Sequence, residues 1–202
     1  MNIKKLDLNK HDLEMVSELI YETDKNLFGT FLDKKQDIAV KKLRKLIVAG
    51  GNSYGNEHVY TDEGHDGKIK GILVAFRGDE VKFLDEARVF WNTLNLFDFL
   101  KLILIKPVYD RITASSIEYN DLYIGNLVVT PEYRGQGIGT EIMQYAFHLA
   151  REKNCKRVLL DVIFENDRAK NLYERMGFRV CCEKKFKWLG NSEGTYGMEY
   201  II

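Results

Sequence analysis

A rhythm in the second half of the chain constrains the fold more than any other feature. Leu122 to Thr130 reads as a strand, Gly137 to Lys153 as a helix, and Arg157 to Phe164 as a second strand. The helix carries Ile138, Ile142, Tyr145, Ala146 and Leu149 on one face, the period of a helix laid on a sheet. A strand–helix–strand unit of this length needs a crossover, so the two strands should be parallel and the connection right-handed. A further helix, Asp167 to Met176, is closed by Gly177. Two last strands, Arg179 to Lys187 and Tyr196 to Ile202, are joined by a Gly/Asn/Ser loop and make the sheet mixed.

The first half is less regular. Ile3 to Leu8 alternates as an edge strand would, and Leu13, Val16, Leu19, Ile20 and Leu27 recur at helical spacing. A second helix, with Ala39, Leu43, Leu46 and Ile47 inward, runs from a capping box at Asp33 to Gly50-Gly51. Its lysines (Lys34, Lys35, Lys41, Lys42, Lys45) and Arg44 read as a solvated face. Glu57 to Thr61 and Lys68 to Phe76, separated by the acidic turn Asp62 to Gly67, form a hairpin signal. Residues 80–105 read as one helix stopped by Lys106-Pro107, with a narrow polar stripe of Asp85, Arg88, Asn92, Asn95, Asp98 and Lys101. A helix apolar around most of its circumference wants burial on several sides, as core first, then as a dimer surface or a pocket wall. The fold class is α/β in the broad, mixed α+β sense: one domain over residues 1–202, with a twisted mixed sheet of about six or seven strands, flanking helices and a helical insertion at 80–118.

Composition excludes several functions. The chain has 202 residues, and its 30 basic and 30 acidic side chains cancel. Without a basic excess, no nucleic-acid partner is expected. The N-terminus has no apolar run for a secretory signal, and Leu94 to Ile105 is broken by Asp98 and Lys101 and too short for a bilayer, so no membrane partner is expected either. Cys155, Cys181 and Cys182 lack metal-type spacing, as do His11, His58, His65 and His148. Cys181 and Cys182, adjacent in a strand, should point to opposite faces. The expectation is a reduced, cytoplasmic protein without a metal.

The strongest motif is Arg134-Gly-Gln-Gly-Ile-Gly-Thr140, between a strand and a helix. Glycines there let successive N–H groups converge on an anion, and the helix N-terminus adds its unpaired donors. A P-loop would need Gly-Lys followed by Ser or Thr, and a dinucleotide fingerprint would need glycine where Thr140 stands.

The pattern Arg/Gln-x-x-Gly-x-Gly/Ala does fit. Leu127-Val-Val-Thr-Pro-Glu-Tyr-Arg-Gly-Gln-Gly-Ile-Gly139 resembles the fourth strand and pyrophosphate loop of the GNAT N-acetyltransferase superfamily. Asn166-Asp-Arg-Ala-Lys-Asn-Leu-Tyr-Glu-Arg-Met-Gly-Phe178 resembles the helix that follows in that family, so the likeness spans residues 122–187. It implies direct acetyl transfer from acetyl-CoA, as co-substrate, to a small-molecule amine or a peptide N-terminus. Arg134 and the backbone of Gly135, Gln136, Gly137, Ile138, Gly139 and Thr140 would hold the pyrophosphate. Leu127 and Val129 would pair with the pantetheine, and an N–H near Val128 or Val129 would polarise the thioester carbonyl. Tyr173 takes the position of the acid, and Asn166 would orient the pantetheine or simply cap its helix.

Asp161 is singled out by the residues themselves, as a carboxylate in the apolar run Val158-Leu-Leu-Asp-Val-Ile-Phe164. It is a candidate base acting through water, or a hydrogen-bonded structural acid, with Glu118 and Tyr123 as alternatives. A similar position holds a catalytic Glu in ribosomal-protein N-terminal acetyltransferases of the superfamily. The rival readings are a non-catalytic acyl-CoA sensor, which would not need Tyr173, and a plain interaction domain using the 80–105 helix.

Overall fold

The computed structural model describes residues 2–64, 66–102, 104, 115–188 and 191–202. Seven strands form a single sheet: β1 (Ile3–Lys5), β2 (Val59–Glu63), β3 (Ile69–Arg77), β4 (Asp121–Val129), β5 (Arg157–Ile163), β6 (Arg179–Trp188) and β7 (Asn191–Ile201). Their order is β1-β2-β3-β4-β5-β7-β6. Among the described residues only β4 and β5 pair in parallel, joined by the expected helix, α6 (Ile138–Glu152). β1 is an edge, as its short alternating sequence implies.

Strand alternation sends side chains to two cores. Val59, Ile72, Val74 and Val128 pack under α1 (Leu13–Thr23), α2 (Lys25–Phe31) and α3 (Gln36–Ala49). Leu73, Ala75, Leu122, Ile124, Val158 and Leu160 pack under α6 and α7 (Asp167–Arg175). Ile142 and Ala146, on the predicted face of α6, and Met143 beside them are essentially solvent-free. Burying one such aliphatic side chain contributes about 1.5–3 kcal/mol.

The structure corrects several local expectations. The first helical run breaks at Asp24, which closes α1 and whose carboxylate accepts the Leu27 N–H at 2.8 Å to start α2. Lys35, not Asp33, is the N-cap of α3; Asp33 instead accepts the Lys35 N–H at 3.1 Å and pairs with Lys42. The 80–105 segment forms two helices, α4 (Phe83–Thr93) and α5 (residues 96–102), because the Asn95 side chain accepts the Asp98 N–H at 2.9 Å and starts a new helix. Leu94 and Leu102 join the core, but Leu84, Trp91, Phe97, Leu100 and Leu104 are exposed, contrary to a fully buried helix. The stop at Lys106-Pro107 lies outside the described residues. Within them, no helix is long and apolar enough to cross a membrane.

β7 starts at Asn191, five residues before the expected Tyr196, because the terminal hairpin pairs out to Trp188↔Asn191. In β6 a bulge at Cys181 breaks alternation, so the Cys181 and Cys182 sulfurs lie 3.5 Å apart instead of on opposite faces. The acidic turn is shorter than expected: Asp62 and Glu63 belong to β2 and are buried. Lys70 stands 3.5 Å from Asp62, while Lys10 and His11 both reach Glu63, with Lys10 Nζ at 2.6 Å.

Hydrogen bonding from Lys10 holds the Glu63 carboxyl below its ordinary value, against desolvation and with help from His11. A carboxyl depressed in the folded state stabilises the fold above its unfolded value, and that contribution disappears as pH falls through the folded value. Glu63→Gln should therefore lower the melting temperature by several degrees at pH 7, with the difference narrowing below about pH 4. Thermal unfolding across pH checks this; an equal loss at every pH would contradict it.

Candidate active site

β4 and β5 stay hydrogen-bonded only from Asp121↔Arg157 to Ile124↔Leu160. Beyond that, β4 remains on β3 as far as Val129, and β5 on β7 as far as Ile163. The parting coincides with a bulge: the β3–β4 register steps from Ala75↔Ile124 to Val74↔Asn126, leaving Gly125 unmatched. An extra residue bends its strand, so β4 turns from β5 and a cleft opens through the sheet.

Alternation then decides which backbone groups face the cleft. Thr130 N–H donates to the Lys70 carbonyl at 2.9 Å, so Val128 and Asn126, in step with it, also face β3. Leu127 and Val129 face the cleft, and Arg134 Nε donates to the Val129 carbonyl from that side at 3.0 Å. Of the two N–H groups expected to polarise a carbonyl, Val129's is on the cleft side and Val128's is turned away.

The glycine loop follows directly. Gly135 and Gly137 have φ of 81° and 87°, left-handed values that strain any residue with a Cβ. Gly139 is different. It lies in the first turn of α6, and a Cβ there would meet only Leu172 and Val129, at ordinary contacts of 3.5 and 3.7 Å. Neither turn nor packing demands this glycine, whereas a ligand lying against the backbone would.

No side chain among the described residues caps α6. Among the described residues the N–H groups of Gly135, Gln136 and Gly137 meet no acceptor, and those of Ile138 and Gly139 belong to the open first turn. Thr140 is the exception, because its N–H is taken by the Gly137 carbonyl at 2.9 Å. The Gln136 side chain turns back to the Glu132 carbonyl, so only its backbone is available. Arg134 is held through Nε, and among the described residues its outer nitrogens make no hydrogen bond. The loop thus fits a diphosphate.

The cleft widens into a cavity of about 650 Å³ lined by Tyr123, Leu127, Asp161, Asn166 and Tyr173. Asp161 accepts hydrogen bonds from Ser115 N–H and Oγ, both at 3.0 Å, and from the Tyr123 hydroxyl at 2.9 Å. Tyr173 comes from the opposite core, with its ring centroid 5.8 Å from that of Phe178. Its hydroxyl makes no hydrogen bond among the described residues, and burial pushes its pKa up to about 12. Asn166 caps α7, its side-chain oxygen accepting the Ala169 N–H at 3.1 Å. Glu118 is not part of this group: its exposed carboxylate lies 3.7 Å from Arg157. Since the cleft passes through the sheet, side chains from both cores meet in one cavity.

Residues 33–178 match the model of the acetyltransferase (GNAT) family. The chain belongs to that family. An 80-residue stretch is 32% identical to N-alpha-acetyltransferase 30 of Schizosaccharomyces pombe, covering 40% of this chain and 51% of that protein. Another, of 86 residues, is 34% identical to a putative ribosomal protein bS18-alanine N-acetyltransferase of Bacillus subtilis, covering 43% and 57%. The matched stretch thus spans about half the length of these curated relatives. The fold is similar to that of an N-acetyltransferase from Staphylococcus aureus Mu50, with a TM-score of 0.70 at 18% identity over 99% of this chain and 100% of that one.

Within this GNAT scaffold the sequence left some site residues unseen. Ser115 carries no motif, and its bonds to Asp161 span 46 positions. Asn126 had a visible signal as a lone amide inside Ile124-Gly-Asn-Leu-Val-Val129. Gly139→Ala should fold like the wild type yet bind acetyl-CoA about tenfold more weakly, whereas Gly135→Ala should also lose about 1 kcal/mol of stability through its positive φ. Calorimetric titration and chemical denaturation of both variants check this; unchanged binding by Gly139→Ala would contradict it.

Proposed function

We propose that this GNAT-family chain transfers an acetyl group from acetyl-CoA to a primary amine. One observation carries the reading: a protonated phenol and a hydrogen-bonded carboxylate face one cavity from the two sides of a parted strand pair. Arg134 and the open N–H groups of residues 135–139 would hold the diphosphate, while Leu127 and Val129 offer strand-like donors and acceptors to the pantetheine. Bound acetyl-CoA supplies a thioester whose carbonyl carbon is open to attack.

The protein's part is then proton management and charge stabilisation. The amine must be neutral to attack, and Asp161, bonded to the Tyr123 hydroxyl, is placed to take its proton directly or through water. The amine nitrogen bonds to the acetyl carbon as the C–S bond breaks. The Val129 N–H points into the cleft, where charge develops on the carbonyl oxygen. Tyr173, with a pKa of about 12, is fully protonated at neutral pH and gives its proton to the departing sulfur.

Tyr173→Phe should lower kcat by ~10²-fold and leave acetyl-CoA affinity within about twofold. Wild-type turnover would remove Tyr173 as the acid. Asp161→Asn should lose ~10²-fold in kcat/KM at neutral pH, with the loss shrinking as pH rises towards about 10, where alkylamines become neutral. A loss of the same size at every pH would remove it as the base.

A further inference from the structure

Two carboxylates unused by this chemistry line the same cavity. Asp24 sits at the α1–α2 junction, where burial pushes its pKa up while bonds from Leu27 and Asn26 N–H groups oppose the shift. Glu86 of α4 is 9% exposed and accepts from Ser53 N–H and Oγ at 3.1 and 2.7 Å. Among the described residues neither forms an ion pair, and no Lys, Arg or His lines the cavity. A half-buried Asp24 and a buried Glu86 without a cation are costly in an apolar setting, here walled by Leu27, Phe28, Phe31, Phe76 and Phe90.

Asn126 supplies a second, independent sign. Its amide orientation is fixed, because Nδ2 donates 2.7 Å to Thr23 Oγ1, whose own proton goes to the Ile20 carbonyl at 2.6 Å. Oδ1 is consequently an acceptor. It is buried without a hydrogen-bond partner among the described residues, in a side chain that lines the cavity beside Thr23 and Asp24. An unused acceptor and two carboxylates with no cation among the described residues, on aromatic walls, ask for a donor-only, positively charged group on an apolar body.

We propose that the acceptor is an apolar dication: a primary amine joined by an aliphatic or aromatic spacer to a second cationic group, which docks against Asp24, Glu86 and Asn126. The inference rests on the acetyl-transfer reading, and the second cation takes no part in the chemistry. A carboxylate in the second cation's place would meet Asp24 and Glu86 as like charges, which argues against ω-amino acids.

The test is a matched series with the full chain and acetyl-CoA: hexane-1,6-diamine, hexylamine, 6-aminohexanoate and a peptide with a free N-terminus, followed by thiol release. The diamine should exceed hexylamine in kcat/KM by about tenfold or more, with 6-aminohexanoate poorest. In the double variant Asp24→Asn/Glu86→Gln, the diamine-to-hexylamine ratio should fall towards one; Asn caps a helix as well as Asp, so α2 is kept. Equal or better use of 6-aminohexanoate or the peptide, or an unchanged ratio in the double variant, overturns the dication while leaving acetyl transfer standing. Calorimetric binding of acetyl-CoA with no thiol release for any amine overturns the transfer reading itself.

Discussion

Strands β4 and β5 hold each other over four residue pairs and then separate, and the site is a consequence of that limited pairing. Before the separation, the parallel ladder ties the two cores into one sheet. After it, each strand keeps its outer neighbour, β3 or β7, so neither loses its support. The unmatched Gly125 supplies the bend. What remains between the strands is a row of backbone donors and acceptors at the edge of a rigid sheet, where a chain of amides can add itself as a further strand would.

The same parting brings together chemistry that a closed sheet would keep apart. Tyr173 belongs to the core under α6 and α7, whereas Asp161 shares its side of the sheet with Tyr123, Phe76 and Leu159. A continuous β4–β5 ladder would leave them on opposite faces. With the cleft open, the phenol lies on the side of the glycine loop and the carboxylate on the side of α1, α2 and α4. In the proposed reaction, acid and base thus work from opposite sides without competing for one proton. The carboxylates Asp24 and Glu86 line the same cavity from α1, α2 and α4.

Much of this was legible where the sequence is periodic or where glycine is concentrated. The β4–α6–β5 unit, the parallel pair, α7 and the loop at residues 134–140 follow from apolar spacing and turn chemistry. The losses have local causes. Asp24 and Asn95 each restart a helix through a side-chain hydrogen bond, which hydrophobic periodicity does not register. The bulges at Gly125 and Cys181 depend on pairing with a neighbour, so neither the parting of β4 nor the contact of the two sulfurs could be read from one strand alone. Ser115 and Glu86 reach the site over long sequence separations. Asp161 was visible because a charge in an apolar strand needs a reason, but its donors were not.

The central claim is that alternate backbone groups of β4 beyond the bulge receive the acyl donor. Residue-resolved amide hydrogen exchange with and without acetyl-CoA tests it most directly. Binding should slow exchange at Leu127, Val129 and Gly135 to Gly139, and leave Asn126 and Val128, which face β3, unchanged. Protection at Asn126 and Val128, or none at Leu127 and Val129, would contradict the account.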